Sequence, residues 1–208
     1  MGKAKFGASA FEYGVVKEDL VPNATVKVPG LTTAEMELKN ELKTLMADDG
    51  PYITVSGGIS EATLSLELFD LPPKVKQDFF GIDVVKGVEV YTRDLTPNDV
   101  AVLFKTKMED GKAVWVAMLK GKFSLPGLST KTNDGTPDPN PDKTEGSFAP
   151  RGDADRGTMV LIGREDQPDF DLETFRKWVF PKTAEEAIIK ADEPAKAGAG
   201  VVDESKAG

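Results

Sequence analysis

The cleanest alternation of apolar and polar residues lies at 62–68. There Ala62, Leu64, Leu66 and Leu68 interleave with Thr63, Ser65 and Glu67. A period of two puts one set on each face of a β-strand. Phe11, Tyr13 and Val15, set against Ala10, Glu12 and Gly14, follow the same rhythm, as do Tyr52, Thr54 and Ser56 against Ile53 and Val55. Gly57-Gly58 separates the runs at 52–56 and 62–68 and predicts a hairpin turn between them. Residues 84–92 and 158–162 read as further strands. Loops are expected at 19–30, punctuated by Pro22-Asn23 and Pro29-Gly30, and at Thr96-Pro97-Asn98.

Residues 101–151 carry the strongest local signal. Two apolar runs, AVLFKTKM and AVWVAMLKGKF, flank Glu109-Asp110-Gly111-Lys112. Asp-Gly between alternating apolar runs predicts a hairpin. The second run is apolar on both faces from 113 to 119, so it needs cover on both sides, from a helix or from another subunit. The chain then enters a long polar loop, NDGTPDPNPDKTEG, and returns at Ser147-Phe148-Ala149. Loops of this length in a domain usually bind something or stay disordered.

Helical spacing appears in three places. Leu71, Val75 and Phe79 form one stripe, with Asp70 as the expected cap, Pro72-Pro73 in the first turn and Gly81 as the stop. Leu172, Phe175, Trp178 and Val179 form another, capped by Asp169 and stopped by Pro181. A second short helix is expected over 183–191. Residues 32–49 fit two patterns. Thr32 and Glu35 resemble a capping box, and Glu, Leu, Lys and Met favour helix. Yet Ala34, Met36 and Leu38 also alternate with Glu35, Glu37 and Lys39, as in a half-buried strand. Local propensity leans to the helix.

The 208 residues suit one domain with appendages, or at most two small ones. Three parts are expected: a β domain over 1–163, a helical extension over 164–191 and a disordered tail over 192–208, which is small, charged and Gly-rich. With 35 acidic against 26 basic residues, the net charge of −9 disfavours general nucleic-acid affinity. Cysteine and histidine are both absent. That removes disulfides, thiolate nucleophiles and the commonest general base and metal ligand. No cofactor is expected. The N-terminus lacks the apolar stretch of a secretory signal, and no apolar run nears the roughly 20 residues of a membrane span.

The chemistry that remains open is carboxylate chemistry. Asp48-Asp49-Gly50 lacks the ligand spacing of an EF-hand and reads as a tight turn. Asp134, Asp138 and Asp142 recur every four residues, but Pro137, Pro139 and Pro141 hold that loop extended and keep the carboxylates apart. A partner-docking arm is the expected role. Arg151-Gly152-Asp153 matches an adhesion tripeptide only as chance would supply. Nothing among 35 acids singles out a catalytic pair, so no enzyme is expected. Lys105, Lys107, Lys112, Lys120 and Lys122 sit on the hairpin, where they could touch phosphate, pair with a neighbour's acids or solvate the strands. Without interleaved exposed aromatics they do not make a single-strand platform.

Several pieces, in order, carry a resemblance. They are Ala47-Asp48-Asp49-Gly50 with Tyr52 and Val55, then LSLELFDLPPKVKQDFFG, then VAVLFKT with its DGK turn, then MLKGKFSLPGLSTKT, Pro137-Asp138 and the return at 146–149. Over residues 6–162 the chain resembles the major tail proteins of siphophages, which build the tail tube. The resemblance implies a mainly β fold: a tail-tube β-sandwich or half-barrel of two packed antiparallel sheets with one flanking short helix. It places Ala34 to Leu38 in a strand, and 39–49 in a hairpin connection that bridges rings. The C-terminal helical extension falls outside it.

The same resemblance implies a non-enzymatic subunit whose hexameric rings stack into a conduit for DNA ejection. Its partners would be further copies of itself, other tail proteins at the tube ends and the tape-measure protein. Viral DNA would pass through without specific binding. The location would be the virion, after assembly in the host cytoplasm, with no membrane. Inter-subunit candidates are Asn40, Leu42, Asp48, Asp49, Asp134, Pro137, Asp138, Pro139 and Asp142. Lumen candidates are Glu61, Thr63, Ser65 and Glu67, the polar face of the cleanest strand. The alternative is a carbohydrate-binding β-sandwich decorating the virion, which would want an aromatic platform that two Trp and three Tyr hardly supply.

Overall fold

The computed structural model describes residues 4–47, 50–127, 140–152 and 157–189. In chain order the strands are β1 (Lys5–Val15), β2 (Val26–Val28), β3 (Leu31–Ala47) and β4 (Gly50–Leu68), followed by helix α1 (Pro73–Phe80). Then come β5 (Asp83–Val85), β6 (Val88–Val90), β7 (Val100–Met108), β8 (Ala113–Phe123), β9 (Asp142–Phe148) and β10 (Val160–Arg164). Helices α2 (Leu172–Val179) and α3 (Ala184–Ala187) close the described chain.

One antiparallel sheet runs β2-β1-β7-β8-β9-β4-β3. β8 shares one edge between two partners, β10 along 114–118 and β9 along 121–123. Among the described residues no ladder joins β1 or β2 to β3, so the sheet is not a closed barrel. It folds over instead. Phe11 and Tyr13 of β1 and Leu64, Leu66 and Leu68 of β4 stand at opposite ends of the path and pack in one core. The two packed layers that the resemblance implies are thus two halves of one sheet. A separate two-stranded hairpin, β5-β6, turns at Lys86-Gly87, both with positive φ. The single strand expected at 84–92 is therefore two short ones, because Lys-Gly takes the tight hairpin turn.

Helix α1 plugs the fold, burying Val75, Phe79 and Phe80, with Leu71 and Ile82 at its flanks. Its N-cap is Pro72, with no side-chain cap, so the expected Asp70 cap is not formed. Gly81 ends the helix at φ 70°, and a Cβ there would meet the Thr96 carbonyl oxygen at 2.4 Å. Phe79 stacks on Phe123 at 4.6 Å and meets Tyr13 edge-on at 4.8 Å. Tyr13 donates its hydroxyl to Asp78 Oδ2 at 2.8 Å. Burial first, and then Asp78, push that phenol far above its ordinary pKa. Each large side chain buried here stabilises the fold by about 1.5–3 kcal/mol.

β8 and β9 lock through reciprocal pairs. Gly121 faces Phe148, and Gly146 faces Phe123. A Cβ at Gly146 would approach the Phe123 ring to 2.8 Å. Gly146→Val should therefore cost about 1–3 kcal/mol by overpacking. Urea unfolding would read this as a lower midpoint, and an unchanged midpoint would show that the ring moves aside freely.

A second core lies on the other face of β7 and β8. Ala101, Leu103, Trp115, Ala117 and Leu119 meet Phe175, Val179 and Phe180 of the α2 region there. The second cover of the doubly apolar strand is therefore this chain's own helix. That pattern, the main physical hint of a second subunit, loses its force. Asp171, two residues after the expected Asp169, caps α2 by accepting from the Thr174 amide at 2.7 Å. Thr183 caps α3, which ends at Ala187 with 188–189 outside any helix; residues 190–191 of the expected helix lie outside the described residues.

Candidate assembly surface

β3 and β4 form the longest hairpin, laddered from Leu31↔Leu68 to Ala47↔Gly50. At its base Ala34, Met36 and Leu38 face Leu66, Leu64 and Ala62 on the core side. Beyond that base the hairpin leaves the body. Residues 39–46 and 51–60 are exposed on both faces. At about 3.3 Å per residue the projecting arm is on the order of 30 Å long. It carries Leu42, Leu45, Met46, Tyr52, Ile53, Val55 and Ile59, with Leu42 69% and Tyr52 77% exposed.

The helix favoured by propensity at 32–49 does not form. A helix would bury one stripe, whereas the strand extends a ladder that the fully buried Ala62–Leu68 segment already anchors. Nor does Gly57-Gly58 make a turn. β4 runs straight through it, and the register slips between Asn40↔Ile59 and Leu42↔Ser56. Gly58, at φ 79°, supplies the left-handed residue of a β-bulge. Polar pairs help hold the arm together: the Thr44 and Thr54 hydroxyls lie 3.0 Å apart, and Ser56 donates to Asn40 Oδ1 at 3.2 Å. A two-stranded ribbon wet on both faces is marginal alone.

The lumen candidates Glu61, Thr63, Ser65 and Glu67 share the polar face of β4, opposite the core. Pairing sets Thr63 beside Ser147, Ser65 beside Glu145 and Glu67 beside Lys143. On the other side it sets Glu35, Glu37 and Lys39 beside Ser65, Thr63 and Glu61. The result is a continuous polar face with Glu35, Glu37, Glu61, Glu67 and Glu145 against Lys39 and Lys143. Lys39 bridges to Glu61 at 2.8 Å, and Lys143 bridges to Glu67. The Lys143 contact, helped by Thr33, holds Glu67 below the usual carboxylate range.

Asn40 and Leu42 stand on the exposed arm. Asp142 opens β9 and accepts from the Leu71 amide at 3.0 Å, bracing the entry to α1. Asp48, Asp49, Asp134, Pro137, Asp138 and Pro139 lie outside the described residues. Three hairpin lysines are engaged within the subunit. Lys105 sits over the Trp115 ring at 5.2 Å, Lys120 pairs with Asp19 at 2.7 Å, and Lys122 donates to the Pro97 carbonyl at 2.9 Å. Arg151 is buried, and its guanidinium donates to the Val179 carbonyl at 2.9 Å and to the Trp178 carbonyl. A cation there complements the C-terminal end of α2. Burial lowers its pKa to about 10. An arginine so enclosed is not available for adhesion.

The ion pair that ties α2 to the sheet was not legible in the sequence. Glu12, 3% exposed, receives both terminal nitrogens of Arg176, at 2.8 and 2.6 Å, and the Thr25 hydroxyl at 2.5 Å. Burial alone would raise the Glu12 pKa. The hydrogen bonds from Arg176 and Thr25 and the Arg176 charge overcome it and hold the carboxyl below its ordinary value. The partners are 164 positions apart. The one sequence signal was an acid inside a strand pattern, and alternation says only that Glu12 lies on the face opposite Phe11 and Tyr13.

Among the described residues no cluster of acids is placed to hold a metal, and no helix is long and apolar enough to cross a membrane. A search of curated proteins found no match. Among solved structures, the tube-terminating cap of the anti-feeding prophage is similar, at 10% identity and a TM-score of 0.43, covering 74% of this chain and 88% of that one. A chain of the PVC sheath–tube complex, an extracellular contractile injection system in its extended state, gives 10% identity and a TM-score of 0.40 over the same shares. Likenesses this distant do not bear on what the chain does. A family model described as phage tail tube protein matches residues 14–187, from the end of β1 through α3, and so takes in the C-terminal helices that the resemblance over 6–162 left out. The chain belongs to the phage tail tube protein family.

Proposed function

We propose that this tail tube subunit assembles into six-membered rings that stack into the conduit for DNA ejection in a long-tailed phage. The observation that carries the reading is the arm, a ribbon about 30 Å long with seven large apolar side chains in water. Such a surface calls for a partner. The most abundant partner in a tube is another copy. Asn40, Leu42, Asp48 and Asp49 then belong to a contact between rings, and Asp134, Pro137, Asp138, Pro139 and Asp142 to a second contact. The polar face of β4, with its excess of glutamates, lines the bore and keeps duplex DNA from adhering, since like charge repels it. The tape-measure protein and the proteins at the tube ends complete the structure, assembled in the host cytoplasm.

Negative-stain microscopy of the concentrated pure protein tests this. Rods whose end-on views show six-fold symmetry are the expected result. A chain that stays monomeric at high concentration, or rings of another symmetry, would overturn the corresponding part.

A further inference from the structure

A tube grows head to tail, so each contact joins two different patches of the same chain. The arm supplies one patch, and its acceptor must be a second apolar surface on the body. Among the described residues outside the β3-β4 hairpin, exposed large apolar side chains gather in one place, the β5-β6 hairpin. Val85 is 56% and Val88 63% exposed, with Val90 and Tyr91 beside them. The others, Phe6, Phe69, Leu125, Ile162 and Ile188, come one at a time on separate segments.

The register explains why this face is bare. Val84 pairs with Glu89, and both turn inward: Val84 packs on the main core, and Glu89 meets Lys76 of α1 at 3.1 Å. Val85↔Val88 and Asp83↔Val90 therefore share the opposite face. Tyr91 donates its hydroxyl to Glu89 at 2.8 Å, which braces the hairpin further. The face is thus held rigid by its own back, and three valines point away from the body. β-branched side chains on a fixed ribbon lose little entropy when covered.

We propose that the outward face of β5-β6 is the acceptor for the β3-β4 arm of another copy, with Val85, Val88 and Val90 receiving apolar side chains of the arm around Leu42 and Tyr52. This rests on the ring-stacking reading and names its partner surface. The contact is small. Three valines fall well short of the roughly 800 Å² per partner of a stable interface. One arm on one hairpin is therefore weak. A whole ring, presenting all its arms at once, binds through their combined effect. Free subunits stay apart, and growth proceeds ring upon ring.

The absence of cysteine makes the test clean. Tyr52→Cys and Val88→Cys are made separately in the full chain, mixed, assembled and exposed to a mild oxidant. The expected result is a disulfide dimer in the mixture that neither variant forms alone. A mixture of Tyr52→Cys with Ile188→Cys serves as the control and should stay uncrosslinked. A second variant, Val85→Lys with Val88→Lys, should keep the parent melting temperature and reduce rods at least tenfold. If the parent forms rods while the pair does not crosslink, or the lysine variant assembles normally, the acceptor is elsewhere and the tube reading survives. If the parent forms no rods at all, both fall together.

Discussion

Replacing Arg176 with leucine should destabilise the monomer by about 3 kcal/mol, the low end for breaking a buried pair, because Arg176 is itself one-third exposed. The loss comes from Glu12, left charged in its buried site with the Thr25 hydroxyl still donating to it. For a chain of this length the melting temperature should fall by roughly 6–12 °C. The pH dependence carries the sign. In the parent, Glu12 titrates below its unfolded value of 4.5, so its contribution is full above that pH and fades as pH falls through the folded pKa. In the variant burial dominates, and it raises the Glu12 pKa. Protonation then relieves the site, so the gap between parent and variant should narrow on acidification. Glu12→Leu combined with Arg176→Leu should recover much of the loss. Equal melting temperatures for parent and single variant, or a gap that widens in acid, would show that the pair does not hold α2 down.

The second large effect concerns assembly and not folding. Leu42→Lys with Tyr52→Lys should abolish rods while leaving the monomer within about 0.5 kcal/mol of the parent, since both side chains are exposed. Losing two apolar contacts costs about 3 kcal/mol or more for each arm. That is a factor of roughly a hundred in each contact, repeated around the ring. Sedimentation and microscopy would report soluble monomer where the parent forms rods. Rods of normal length from this variant would show that the arm is not the contact.

The local signals explain which elements could be read directly. Glu109 to Lys112 produced the expected turn, with Gly111 at φ 81° and the Met108 amide donating to the Lys112 carbonyl at 2.8 Å. Val75 and Phe79 reached the core because four-residue spacing leaves a helix one face to bury, and Leu71 is buried just ahead of it. The arm was harder. Its apolar residues lie on both faces with nothing to cover them, so the alternation at 52–56 marks a strand without marking a buried face. Its first strand carries Glu, Lys, Leu and Met, which favour helix, and the alternation of Ala34, Met36 and Leu38 competed with that propensity until the family resemblance tipped the reading to a strand. That resemblance itself placed just Ala34 to Leu38 in the ladder, which runs on to Ala47.

Sequence by itself determined the alternating faces of β4, the β7-β8 hairpin, the α1 plug, and the exclusion of thiol and imidazole chemistry. Each of these depends on residue type and on neighbours a few positions away. Tertiary structure alone decided the rest. It chose bulge over turn at Gly57-Gly58, because β3 offered a ladder longer than a short hairpin could. It covered the second face of β8 with α2, which begins about 50 residues further along. It buried Glu12 and Arg151 against a helix that neither could foresee. It set the acceptor valines outward by turning Glu89 in toward Lys76. In each case the energy lies in a contact between distant segments, and periodicity carries no information about which distant face will arrive.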